Sequence, residues 1–215
     1  MGRRKKEPRS VHREHIASAA AQLFAEKSIA AVSMDDIAGK SGYSKATLYV
    51  YFRNKEEIIS ILVLKSMQML YDCICRAVEE EAATKEKYRM ICRGLAAYQK
   101  EYPLYFEMVL ENINIDFENT ECIPEEKETY LVGERINEKL KQFFEEGVKK
   151  GDLRPNMEIL PTIFQFWGML SGLIQLAAQK EEYIGVSMGL SQKQFLESGF
   201  EMLYRSVAKE EKHGE

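Results

Sequence analysis

Residues 33–55 read SMDDIAGKSGYSKATLYVYFRNK, and the order of capping residues, glycine and apolar spacing in them decides the fold. Ser33 ahead of Met34, Asp35 and Asp36 opens a helix, because its hydroxyl accepts from free first-turn amides and the carboxylates suit the positive helix end. Ile37 and Ala38 then face inward. Gly42, between Ser41 and Tyr43, supplies a left-handed backbone that closes a helix without a Cβ clash, so the chain turns there. Ser44 caps a second short helix over residues 45–51, in which Leu48 and Phe52, four apart, share a buried face. Lys45, Thr47, Tyr49 and Tyr51 are left outward. Two short helices joined in this way form a helix-turn-helix whose second helix, with Ser, Lys, Thr and Tyr donors outward, suits the DNA major groove. Arg53 and Lys55 are expected to meet phosphate.

The longer run SMDDIAGKSGYSKATLYVYFRNKEEI resembles the N-terminal signature of the TetR family of bacterial transcriptional regulators, over residues 13–58. Cap, glycine turn, aromatic pair and lysine occur in the family's order, which is more specific than a lone short pattern. There are departures. The family often has Gly where Ser28 and Ala46 stand, and Ala and a small aliphatic residue where Ser41 and Tyr43 stand. The resemblance implies a sequence-specific regulator without cofactor or metal, a repressor that leaves its double-stranded DNA operator when a small apolar or aromatic ligand binds. Its DNA contacts are expected at Ser33, Tyr43, Ser44, Lys45, Thr47, Tyr49, Tyr51 and Lys55, with Tyr43, Lys45 and Thr47 on bases. The competing expectation is an architectural or cell-organising DNA binder that uses the same head without an inducer.

Charge divides the chain. Through Lys55 there are 11 Lys and Arg against 5 Asp and Glu, a balance of +6, while the remainder carries −10 within the total of −4. A basic head on an acidic body favours an oriented encounter with a polyanion. The 215 residues, 45% of them hydrophobic, suffice for a real core. No uninterrupted apolar stretch of about 18 residues occurs, and MGRRKKEPRS has no apolar run behind it, so a cytoplasmic protein without a membrane anchor is expected. Cys73, Cys75, Cys92 and Cys122 are not spaced as a zinc set, and buried reduced thiols are the default.

Helical periodicity runs the length of the chain, so the expected fold is all-α, a head over residues 1–54 and a body over 55–215. Residues 10–27 form a first helix through Ile16, Ala20, Leu23 and Phe24, with Arg13 outward. After Asn54, which can cap, a rod without Gly or Pro is expected as far as Ala83. Thr84 caps the next helix, Pro103 opens another, residues 116–123 are irregular, and Pro124 opens a helix to Lys150 with Leu131, Ile136, Leu140, Phe143 and Phe144 inward. A strongly apolar helix follows Asn156. A loop over residues 183–190 and a capping box of Ser191 and Gln194 precede the last helix.

The last two helices carry more apolar surface than one protomer needs. Gly168 and Gly172, four apart, permit close backbone approach, and with Gln175, Phe195 and Met202 they mark a homodimer interface of the kind the resemblance implies. Aromatic and methionine residues between the rod and those helices, Met67, Tyr71, Tyr98, Tyr102, Tyr105, Phe106, Tyr130, Phe164 and Trp167, are the candidate lining of a ligand pocket. His12, His15 and His213 lie in terminal segments and no Ser/His/Asp order or phosphate-cradling glycine loop is present, so an enzyme is not expected.

Overall fold

A computed structural model describes residues 7–111 and 123–209. The basic arm before Glu7, Cys122, His213 and most of the irregular stretch over residues 116–123 fall outside them. Among the described residues the architecture is all-α: α1 Arg9–Glu26, α2 Met34–Ser41, α3 Lys45–Tyr51, α4 Lys55–Val78, α5 Thr84–Glu101, α6 Pro103–Glu111, α7 Pro124–Lys150, α8 Ile159–Gln179, α9 Glu181–Met188 and α10 Gln192–Arg205. A 3-10 turn, Ile29–Ala31, links α1 to α2, and Leu153 and Ala208 form an isolated antiparallel bridge.

The helices gather into two compact units, one from Met1–Met67 with Leu104–Tyr130, the other from Gln68–Pro103 with Leu131–Glu215. These do not follow a cut at residue 54, because the first half of α4 contributes Ile58, Leu62 and Val63 to the core of the first unit. There they join Ile16, Ala20, Leu23 and Phe24 of α1, Ile37 and Ala38 of α2, Leu48 and Phe52 around α3, and Met108 of α6. Burying each of the large apolar side chains contributes about 1.5–3 kcal/mol, so α3, too short to persist alone, is held by Leu48 and Phe52.

The second unit packs α5, α7, α8 and α10 on aromatic contacts. Tyr88 meets Phe166 edge to face at 5.9 Å, Phe144 meets Phe166 at 5.9 Å, and Tyr88 lies 5.1 Å from Tyr204. On its surface α5 and α10 are laced by Arg93 on Glu197 at 2.7 and 3.1 Å and by Lys85 and Arg89 on Glu201 at 2.8 and 3.3 Å. The hydrogen bond from Arg93 holds the Glu197 carboxyl below its ordinary pKa, and that from Lys85 does the same for Glu201.

Four local expectations are corrected. The rod ends at Val78, not Ala83; Glu79, Glu80 and Glu81 would place three like charges at the negative helix end. Ala83, not Thr84, stands at the N-cap of α5, and the Thr84 hydroxyl donates instead to Asp152 at 2.6 Å. Leu131 is exposed, whereas half-buried Leu140 does face inward, lining an apolar cavity. The expected loop over residues 183–190 is mostly helix α9, started by Glu181 and Glu182, anchored by buried Ile184 and closed by Gly189 at φ +66°. Both α4 and α8 are long and apolar enough to cross a membrane by length and composition, a property shared with core helices of soluble proteins.

Gly147 of α7 sits where the chain passes close on two sides: an added methyl would lie 2.6 and 2.8 Å from Leu153 and 2.9 Å from Thr84. Gly147→Ala is expected to destabilise the second unit by about 1–3 kcal/mol through overpacking, despite the better helix propensity of alanine. Chemical denaturation checks this, and an unchanged midpoint would contradict it.

Candidate nucleic-acid interface

The turn between α2 and α3 is built as its residues require. Ser33 Oγ accepts from the Asp36 amide at 3.2 Å while the Ser33 amide donates to Asp36 Oδ2 at 2.8 Å, a reciprocal capping box. The hydrogen bonds from the Ser33 hydroxyl and amide hold the Asp36 carboxyl below its ordinary pKa. Gly42 closes α2 at φ +72°, and Ser44 Oγ accepts from the Thr47 amide at 3.1 Å to start α3. Buried Ser41 donates back to the Ile37 carbonyl at 2.7 Å.

Beside the turn lies a ring cluster that sequence reasoning did not assemble. His12 Nδ1 shares a 2.7 Å hydrogen bond with the Tyr43 hydroxyl, and His12 stacks at a tilt on Tyr51 with centroids 5.2 Å apart. His15 Nε2 donates to the Ser41 carbonyl at 3.0 Å, and Arg9 donates to the Val50 carbonyl at 2.8 Å with its guanidinium 5.8 Å from the Tyr51 ring centre. The signal was available in the spacing of His12 and His15, which places both on the turn-facing side of α1.

The expected DNA contacts are therefore not equivalent. Lys45 and Tyr49 are exposed on α3, whereas Tyr43 and Tyr51 are half-buried among the rings and Thr47 is half-buried with its hydroxyl 2.8 Å from Ser44 Oγ. Ser33 is exposed, but its hydroxyl donates within the cap to Asp36 at 2.6 Å. Lys45 reaches Asp35 at 2.8 Å, an exposed pair that raises the lysine pKa through the hydrogen bond first and the charge second. Exposed pairs of this kind contribute little, so phosphate can displace the carboxylate.

Lys55 is held inside the head. Its ammonium donates to the carbonyls of Ile29 at 2.8 Å and Val32 at 3.0 Å, tying the start of α4 to the 3-10 turn rather than extending to phosphate. Arg53 clasps Glu57 through its side chain, and its amide donates to the same carboxylate at 2.9 Å. Burial raises the pKa of Glu57, but those hydrogen bonds from Arg53 outweigh it and leave a net lowering. Arg13, expected outward, pairs with Glu125 of α7 at 3.0 Å and lies 4.8 Å over the Phe52 ring.

In the second unit an apolar cavity of about 40 Å³ lies where α4, α5, α7 and α8 meet, bounded by Ile74, Tyr88, Leu95, Phe143, Phe166 and Trp167 among others. Of the expected lining, Trp167 alone borders it. Met67 and Phe106 are buried in their own unit, where Tyr105 packs on the head core. Tyr71 is half-buried under the Arg135 guanidinium at 5.5 Å. Tyr98 and Tyr102, 6.2 Å apart, border a separate open groove, and Tyr130 is exposed. Phe164 is 59% exposed and points away from the core on the same face as Gly168, four residues on. Burial drives the Cys92 thiol up to about 12 and raises that of Cys73, which leaves both poor nucleophiles.

That face of α8 carries Leu160, Phe164, Gly168, Gly172 and Leu176 at spacings of four, all exposed, and Met202 of α10 is 66% exposed. Gln175 and Phe195 are half-buried.

Residues 16–60 match the family model for bacterial regulatory proteins of the tetR family. That stretch is a TetR-family DNA-binding head. The chain is similar to the fatty acid metabolism regulator protein of Bacillus subtilis, 23% identical over 67% of this chain and 72% of that one. The HTH-type transcriptional regulator TtgR of Pseudomonas putida is 35% identical over 38% of each chain. Among solved structures, the TetR-family regulator PfmR of Thermus thermophilus superposes with a TM-score of 0.65 at 26% identity, covering 88% of this chain and 97% of its own. TetR-type regulators bind operator DNA, and in this head Lys45, Ala46, Tyr49 and Val50 are exposed on α3.

The two lysines at the ends of this region should respond differently to removal. Lys55→Ala takes a charged donor from two carbonyls, of which Ile29 keeps the Val32 amide, and is expected to lower stability by about 1–3 kcal/mol, read by thermal unfolding. Lys45→Ala should leave stability unchanged and flatten the salt dependence of DNA affinity by roughly one unit. The reverse assignment would show that Lys55, not Lys45, meets phosphate.

Proposed function

We propose that the protein is a homodimeric cytoplasmic repressor, with α3 of each protomer in one operator half-site and a small apolar ligand in the body as the signal for release. The observation that carries the ligand is the apolar cavity among α4, α5, α7 and α8, walled by aromatic and aliphatic side chains. At about 40 Å³ it has room for little more than one water, so a ligand must displace side chains such as Trp167 and Phe143 to enter. The name of the Bacillus subtilis relative, a regulator of fatty acid metabolism, supports a hydrocarbon chain as the class of occupant.

Two helices supply the route to the head. Lys55 on Ile29 and Val32 begins α4, which ends at Val78 beyond Ile74 of the cavity wall. Glu125 on Arg13 begins α7, which carries Phe143 and Phe144 at the cavity. A ligand that binds better when either helix has shifted moves the ensemble by its differential affinity, and coupling of about 1–3 kcal/mol changes operator affinity roughly 5 to 150 fold. The smallness of the cavity favours one other reading, a DNA-binding regulator with no inducer.

Reciprocity separates the two. Long-chain fatty acids and their thioesters are to be titrated by calorimetry with and without saturating operator DNA, and the inducer reading requires a weaker dissociation constant in its presence. Equal constants, or no binding by any of them, would favour the inducer-free regulator.

The dimer is tested on the exposed face of α8. Nothing lies within 4 Å of a methyl added at Gly168 or Gly172 in the protomer. Gly168→Ala and Gly172→Ala should therefore hold or raise protomer stability while weakening self-association, read by sedimentation. Undiminished association would place the interface elsewhere.

A further inference from the structure

The outward side of α3 exposes apolar side chains beside its polar ones. Val50 is 64% exposed and Tyr49 47%, and Ala46, four residues before Val50 and three before Tyr49, is exposed on the same side. The head holds Val50 by its carbonyl, which accepts from Arg9, while the side chain projects to solvent. Three of the polar candidates nearby are engaged, the Thr47 hydroxyl with Ser44, the Tyr43 hydroxyl with His12, and Tyr51 against His12, while Lys45 and Tyr49 stay exposed. An exposed branched aliphatic side chain on a helix that enters a major groove meets one apolar group there, the 5-methyl of thymine.

We propose that Ala46 and Val50 read thymine 5-methyl groups in the operator, with Val50 the stronger determinant. The inference rests on the operator-binding reading above and adds which chemical group of the base is recognised. Valine is stiff at χ1, so its methyls are presented with little rotamer freedom to lose. The positive balance of the head, +6 through Lys55, draws it to DNA, whereas an apolar protein surface would gain nothing from that charge. Each operator half-site therefore contains a thymine, or an equivalent 5-methylcytosine, opposite Val50.

The test uses the full chain. DNA bound by the purified protein is selected from a random pool, and each thymine of the enriched site is replaced singly by deoxyuridine, which keeps the base pair and removes only the methyl. At one thymine in each half-site the replacement is expected to weaken binding by about fourfold, the effect of one buried methyl group. Val50→Ala acts in both protomers, so it should weaken binding to the parent site by about the square of that factor, roughly 16-fold, as should deoxyuridine placed in both half-sites together, and it should cause no further loss on the doubly replaced site, since both changes remove the same two contacts. Because Val50 is exposed, its replacement should leave the melting temperature unchanged, and Val50→Ile should retain the thymine dependence. Losses that add independently, or an enriched site indifferent to every thymine methyl, would overturn the proposal and leave operator binding intact. Failure of any sequence to be enriched would overturn the operator reading and this proposal with it.

Discussion

At φ +72° Gly42 occupies a backbone region that a Cβ makes costly, and it does so with the Ser33 capping box at the far end of α2 and the Ser44 cap two residues ahead. With only Tyr43 between the glycine and the next cap, the start and direction of α3 follow from α2. Leu48 and Phe52 then lock its inner face into the core shared with α1 and α4. What α3 leaves outside is Lys45, Ala46, Tyr49 and Val50.

Charge content and charge availability differ in this head. Arg13 pairs with Glu125, Arg53 with Glu57, and Lys55 with two carbonyls, so several cations that contribute to the positive balance also act as internal ties. Their long-range field survives pairing only in part, and exposed pairs are more readily exchanged for phosphate than buried ones. Lys45 on Asp35 belongs to the exchangeable kind, while Lys55, half-buried on carbonyls, does not.

The head was legible because its signals are local. The caps at Ser33 and Ser44, the turn at Gly42 and the inward pair Leu48 and Phe52 act within a few residues of where they stand, and Asn54 does cap α4, accepting from the Glu57 amide at 3.0 Å. The ends of the rod and of α5 were harder: like charge at Glu79, Glu80 and Glu81 stops the rod although no Gly or Pro breaks it, and the reach of Thr84 to Asp152 is decided by what lies beyond the local stretch. The cavity was legible only as a class. Aromatic content suggested Tyr98, Tyr102 and Phe164, but which face of α5 and α8 turns inward is fixed by the packing of Tyr88, Ile91 and Phe166, a tertiary choice. The engagement of Tyr43 by His12 was hidden for the same reason.

The central claim is that paired α3 helices read two half-sites of one operator. Phosphate ethylation interference on the selected DNA tests it most directly. The account requires two clusters of sensitive phosphates on one face of the duplex, flanking major-groove segments one helical turn, about 34–36 Å, or a multiple of it apart. Interference spread evenly along the DNA, or confined to a single cluster, would contradict it.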